Sequence, residues 1–315
     1  MSIAIPLSAW ATWRIDALGI AAVVAALLYL WAAGRTQGRL RVPGARRAAF
    51  VVGCVVLVVI SCGPVGEYAP RLFWVRALQI TVLLYLVPLA LTAGTPVTVV
   101  AGLLSPTARL RGLHALRGPI PRMLTYPAVT SGLLLVTPWV LLFTGWNIAA
   151  MTHPALDLLT RLFLVAAGFG YYYARSQADP VPRRFPQSLS LVITLVESLA
   201  DGVLGVVVWL GPDIYAGYYR SVGFTEHSQM RDSQMIGAGM LWLLADVIGL
   251  PFLMILMTAL RREDARRQAR VDAAQDEAEM RASLGTAPSA PGSGAPDGGA
   301  LWWENDPRFA DRFHH

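Results

Sequence analysis

The chain predicts an all-α, polytopic membrane protein of seven transmembrane helices, with its N-terminus outside and its C-terminus cytoplasmic. Three observations carry this. Hydrophobic residues make up 55% of the 315 residues and charged residues only 15%, with mean hydropathy +0.50. Soluble domains carry about 25% charged residues. The apolar residues also fall in runs near the ~20 residues that a tilted helix needs to cross ~30 Å of hydrocarbon. Finally, the basic residues crowd alternate connectors, which is the pattern that orients a chain across a bilayer.

The first run covers residues 14–33. No basic leader region or cleavage pattern accompanies it, so it reads as a retained helix. Arg35, Arg39, Arg41, Arg46 and Arg47 follow. The second span, residues 48–61, is short and holds both cysteines, Cys54 and Cys62, too few for a disulfide framework. The third, residues 73–93, carries Arg76 and Gln79 near its start and Pro88 inside. A connector with Arg109, Arg111, His114, Arg117 and Arg122 leads to the fourth, residues 126–143. The fifth, residues 155–173, has Asp157 and Arg161 near its start and is followed by Arg175, Arg183 and Arg184. Residues 187–210 and 235–260 form the sixth and seventh, joined by an unusually polar connector. The connectors after spans one, three and five, and the segment after span seven, are arginine-rich; the others hold few basic residues, mixed with acids. Hydropathy and charge thus give one topology.

No lysine occurs, so all 26 basic residues are arginine, a codon bias that hints at a GC-rich bacterium. The formal charge of +6 and pI near 9.7 would suggest nucleic acid in a soluble protein. Here the arginines set topology, and nucleic acid is not expected as a partner. Residues 1–260 are read as the transmembrane domain. Residues 261–282 read as a charged cytoplasmic helix extending span seven, with its basic start beside anionic lipid. Residues 283–300, rich in Gly, Pro, Ser and Ala, are expected to be a disordered linker. The last stretch, residues 301–315, is an aromatic and charged peptide containing Trp302, Trp303, Phe309 and Phe313.

The acids inside apolar runs carry the functional signal. Glu197 and Asp201 lie four residues apart in span six, and Asp246 lies midway along span seven. An unpaired carboxylate in hydrocarbon costs a few kcal/mol or more, so such groups face a protein interior or a cavity. Asp157 and Arg161 share a helix face, as do Glu197 and Asp201. Threaded alternately, these residues and Arg76 and Gln79 gather at middle to outer depth, close to Asp232 and Gln234 at the mouth of span seven. Two readings stay open. The charges pair between helices, for instance Arg161 with Asp201 or Glu197, or they line a cleft that opens outward to an ion or a partner segment.

Soft and borderline ligands also lie toward the outer face: Cys62, Met151, His153, His227, Met230 and Met235. Thioether and thiolate suit Cu(I), and imidazole suits several metals, but the spacing is no compact metal motif. Of these, His153, His227 and Met230 are the candidate metal contacts. There is no Ser/His/Asp arrangement, P-loop, paired His-x-x-His or haem motif, so catalysis is not supported. A small-ion or metal transporter using Glu197, Asp201 and Asp246 as a relay, and a purely structural scaffold, are the alternatives to a partner-binding protein.

Four blocks carry a resemblance. They are Arg76-Ala-Leu-Gln79 through Pro88 to Gly94-Thr-Pro96; Asp179-Pro-Val-Pro-Arg-Arg184; Gly205 followed by Ile214-Tyr215 and Tyr218; and Asp232-Ser-Gln234 followed by Gly237, Gly239, Met240 and Trp242. In this order they resemble the seven-helix CtaG family of cytochrome c oxidase assembly factors, implicated in maturing the copper centres of haem–copper oxidases. The resemblance covers spans two to seven and implies a protein of the bacterial plasma membrane. It also implies a cytochrome c oxidase subunit or assembly intermediate as partner, and copper as the metal concerned. One departure stands out. Where the family shows His-x-x-Gln-His in the third helix, this chain has Arg76 and Ile80 at the histidine positions and keeps only Gln79. Asp157 and Arg161 stand in span five where relatives often have His.

Overall fold

Asp16 opens the first long helix, its carboxylate accepting from the backbone N–H of Leu18 at 2.9 Å, as an N-cap residue does. In this computed structural model, which describes residues 5–11, 13–36, 42–116, 118–176, 179, 187–223 and 226–285, regular structure is helical throughout. Helix α1 (Ala17–Arg35) packs antiparallel to α2 (Gly44–Cys62), the Arg14 N–H donating to the Cys62 carbonyl at 2.8 Å. Helix α2 is longer than expected: it takes in Arg46 and Arg47, because long basic side chains at a helix end can reach back to water while their stems pack. A short helix α3 (Pro64–Tyr68) continues it.

The third span is the central one, with 72% of its apolar window buried against 28% for the sixth and seventh. It comprises α4 (Phe73–Thr81), a π-turn over Val82–Leu86, and α5 (Val87–Ala93). Pro88 supplies no N–H to the Leu84 carbonyl four residues earlier, and the backbone widens there, with the Val87 N–H reaching the Val82 carbonyl. Gly168 of a later helix lies against the freed carbonyl: a Cβ there would be 2.0 Å from the Leu84 oxygen.

Helices α6 (Pro96–Leu103), α7 (Pro106–Leu116) and α8 (Pro119–Leu124) turn the arginine-rich connector into short helical pieces. Helix α9 (Pro127–Phe143) is then broken from α10 (Trp146–Thr152) by a bend of 71°. The Thr144 hydroxyl accepts from the Trp146 N–H at 3.2 Å and restarts the helix in a new direction. Helices α11 (Pro154–Ser176) and α12 (Gln187–Leu210) are long; α13 (Ala216–Ser221) lies in the connector. The last span is α14 (His227–Gly239), a second π-turn at Met240–Leu244, and α15 (Ala245–Gly285). It starts eight residues before the expected residue 235, because its polar first turns are helical even though they are not apolar.

Among the described residues, six stretches are long and apolar enough to cross a membrane: Ala17–Arg35, Gly44–Tyr68, Phe73–Ala93, Pro154–Ser176, Ser190–Leu210 and His227–Thr258. The expected fourth span, residues 126–143, is found as α9, which is 17 residues long and makes a seventh crossing only if the bent pair α9 and α10 counts as one span. Contacts divide the chain into a unit at residues 1–262 and a second at residues 263–315. The second is helical as far as residue 285 and carries an Arg281–Glu277 pair at 3.2 Å on its exposed surface.

Candidate functional site

Asp157 stands between two guanidiniums. Its Oδ1 accepts from Arg76 at 2.7 Å, and its Oδ2 lies 2.8 Å from Nε of Arg161, one turn further along α11. Arg161 also donates to Asp16 at 2.8 Å. Arg76, which is buried, donates in addition to the Asn147 side-chain oxygen at 2.9 Å and to Gln79 at 2.8 Å. Gln79 reaches the Ile60 carbonyl at 3.4 Å. One polar chain thus ties the start of α1 to α2, α4, α10 and α11, with two carboxylates balancing two guanidiniums. At such a site the loss of one partner is costly because the other stays buried and unpaired. Burial alone would push the Asp16 carboxyl up. The Arg161 hydrogen bond and charge, with the N–H groups of Leu18 and Gly19, outweigh it and hold the carboxyl below the usual aspartate range.

A second polar group lies further along α11, together with α12, the π-turn of the third span and α15. Arg175, buried in the last turn of α11, donates to Glu197 at 2.7 Å and Thr194 at 2.8 Å, and also to the Tyr171 hydroxyl and the Ser190 carbonyl. Tyr171 donates to Glu197 as well. Asp201 accepts from the Tyr85 hydroxyl at 2.8 Å, and Asp246 from Ser198 at 2.6 Å. Glu197, Asp201 and Asp246 line one cavity of about 520 Å³. The pairing of Arg161 with Glu197 or Asp201 is therefore replaced: Arg161 takes Asp16 and Asp157, and Glu197 takes Arg175. The reason is helical rise. Arg161 and Arg175 are separated by ~21 Å along α11 at 1.5 Å per residue, so the intramembrane charges form two groups at different levels.

The connector after α12 is a clamp. Gln234 is buried and fully committed: its Oε1 accepts from the Ile214 N–H at 2.7 Å and its Nε2 donates to the carbonyls of Val208 and Pro212 at 2.8 and 3.0 Å. Tyr215 holds a left-handed backbone (φ 61), uncommon for a bulky residue, while its hydroxyl donates to the terminal carbonyls of α9 at Leu141 and Leu142. Burial pushes that phenol up to about 12. Tyr218 donates to the Pro70 carbonyl at 2.9 Å. Asp232 is exposed on this face.

The three candidate metal contacts are not assembled into a centre. His153 is exposed between α10 and α11; His227, largely exposed, pairs with Asp213 at 2.6 Å; Met230 is buried and lines a cavity of about 10 Å³ with Gln234. Among the described residues no group of three or more His, Cys, Asp or Glu is placed to hold a metal ion. Arg76, at a would-be ligand position, is a cation itself. The donor set does not fit a resident copper.

Sequence reasoning missed Asp16, Asn147, Tyr85, Tyr171 and the capping role of Asp179. The Asp179 carboxylate accepts from the Val97 and Thr98 N–H groups at 3.3 and 2.9 Å and from the Thr98 hydroxyl, closing the start of α6. Its burial pushes the carboxyl up despite those donors. Asp179 therefore meets the chain just after Gly94-Thr-Pro96; the rest of its block, Arg183 and Arg184 included, lies outside the described residues.

Apolar spans, with polar groups that find partners on neighbouring spans, define a multi-pass helical membrane protein. The sequence narrows this further: residues 27–263 match the family described as cytochrome c oxidase caa3 assembly factor, and the chain belongs to that family. It is similar to uncharacterised proteins of Mycobacterium bovis and Mycobacterium tuberculosis, each 28% identical over 272 residues. A Mycobacterium leprae protein is 26% identical over 276 residues. In each case the match covers 82% of this chain but 41% of the relative, so the chain spans about two fifths of the length of these curated relatives. No solved structure matches the chain.

Proposed function

We propose that this protein helps a haem–copper cytochrome c oxidase to assemble, by binding an oxidase subunit or assembly intermediate and not by catalysis. The observation that carries this reading is the family match over residues 27–263, which takes in almost all of the apolar chain. In this reading seven spans cross a bacterial plasma membrane, with the N-terminus outside and the C-terminus cytoplasmic, as the arginine distribution prescribes. Residues 1–260 form the membrane domain, and the charged helix, linker and aromatic peptide follow at 261–282, 283–300 and 301–315.

The Asp16 end of the bundle then faces outward. Asp232 is exposed there, Asp157 is partly so, and Arg76, Gln79, Arg161 and Gln234 hold the surface rigid behind them. This is the face we assign to the oxidase partner. The copper concerned is that of the oxidase's own centre.

The test is the copper content and activity of the terminal oxidase in membranes of a deletion strain. The strain is complemented with the parent, with Asp232→Ala, or with Arg161→Ala. Copper-deficient oxidase restored by the parent and not by Asp232→Ala is the expected result. Immunoblots of the same membranes separate a lost contact from a lost protein, which matters most for the buried Arg161. A fully metallated oxidase in the deletion strain rejects the reading.

A further inference from the structure

Glu197, Asp201 and Asp246 share the walls of one cavity, and Arg175 is the guanidinium bound to any of them among the described residues. Glu197 is buried; its Oε2 takes Arg175 and Tyr171, while its Oε1 has no partner among the described residues. Asp201 and Asp246 are held by the hydroxyls of Tyr85 and Ser198. A hydroxyl completes a hydrogen bond but brings no counter-charge. In a low-dielectric site the attraction between opposite charges is many times what it is in water, so these walls favour a cation.

The cavity says what kind of cation. Its volume of about 520 Å³ lies in the range of about 300–1,000 Å³ typical of organic-ligand sites and far exceeds an ion. No three of the acids are placed to hold a metal. The back wall is aromatic, from Tyr85, Tyr171, Tyr172 and Phe252. Span six packs on α14 and on the Met240–Leu244 turn, and Ser198 bridges to Asp246. Beyond that bridge the rim is formed by Val192, Leu195, Leu250 and Met257, whose side chains are exposed on the apolar flank of the bundle. The mouth therefore opens sideways, and an occupant reaches it from the hydrocarbon.

We propose that this cavity binds an amphiphilic amine, a small molecule with one protonated primary ammonium and an apolar body. The ammonium offers N–H donors and a positive charge to the acids of the wall, of which Glu197 Oε1 has no partner among the described residues. The apolar body lies against the tyrosines and leucines. This site stands whether or not the protein assists an oxidase.

The experiment uses the full chain in nanodiscs of neutral lipid and follows thermal unfolding with dodecylamine or dodecanol. Dodecylamine is expected to raise the melting temperature and dodecanol to do much less. Asp246→Asn should raise the half-saturating amine concentration by about tenfold, the effect of one lost charge-assisted hydrogen bond, and leave the dodecanol response alone. A second readout needs no buried variant. Tryptophan placed at the exposed rim by Leu195→Trp should be quenched, relative to the parent, by dodecylamine with a brominated tail and not by the matching alcohol. Equal responses to amine and alcohol would reduce the cavity to apolar filling and overturn the proposal. No amine response, with photocrosslinks from position 195 to a basic residue on another protein's helix, would overturn it in favour of a protein partner.

Discussion

Asp16 shows how one residue can serve two structures, capping α1 through the Leu18 N–H and neutralising Arg161 across the bundle. Its carboxyl titrates lower in the folded protein than the ordinary value of 3.8. The stability it contributes is therefore present above that value and lost as pH falls through the lower folded one. The melting temperature of the purified protein should hold at neutral pH and drop below about pH 4, and Asp16→Asn should flatten that acid limb. An unchanged limb in the variant would mean that the other carboxylates control it. Arg76, Gln79, Asp157 and Arg161 were legible in the sequence because they interrupt apolar runs. Their closure by Asp16 was not: nothing local says that an acid at the edge of the first span meets an arginine 145 residues away. Arg175 was read as part of a basic connector, and its burial beside Glu197 is a tertiary fact.

At the scale of single helices, close approach decides more than hydropathy does. Gly168 meets the Leu84 carbonyl freed by Pro88, and a methyl there would have to displace backbone. Gly170, two residues on, has open space around its Cβ position. Gly168→Ala should therefore lower the melting temperature, while Gly170→Ala should leave it or raise it, since alanine gains up to ~1 kcal/mol over glycine in a helix. Thermal unfolding of the two variants side by side checks this; equal shifts would argue against the tight contact. Gly237 is a second such site, where a Cβ would strike the Phe73 ring. The apolar runs located most of the spans. Their ends were misread at Arg46 and at His227 because hydropathy registers composition, whereas a helix ends where its hydrogen bonds do. The break at Thr144 and Gly145 lay in plain view as a short polar pair, but the 71° turn between α9 and α10 did not.

Over the whole molecule the parity of the crossings matters most. Six crossings leave both ends of the chain on one side of the membrane, and seven put them on opposite sides. With Cys54 and Cys62, both free thiols, first replaced by serine, Ser8→Cys and Ser283→Cys can be probed in whole cells with a membrane-impermeant maleimide. The arginine pattern predicts labelling at residue 8 in intact cells and at residue 283 only after permeabilisation. Labelling of both, or of neither, would make α9 and α10 a re-entrant pair. The alternation of arginine-rich connectors was readable in one dimension. Which spans are neighbours was not, and that is why a single outward cleft was expected where the bundle holds two polar groups and a lateral cavity.

The grip of Tyr215 on the end of α9 also has a meaning in time. The carbonyls of Leu141 and Leu142 wait for a hydroxyl made 74 and 73 residues later, after α11 and α12 have been synthesised. During insertion the end of α9 is thus left without this partner for several seconds at a synthesis rate of ~5–20 residues per second. The end of α9, beside the bend at Thr144, gains this partner only when the ribosome has already delivered six of the apolar runs.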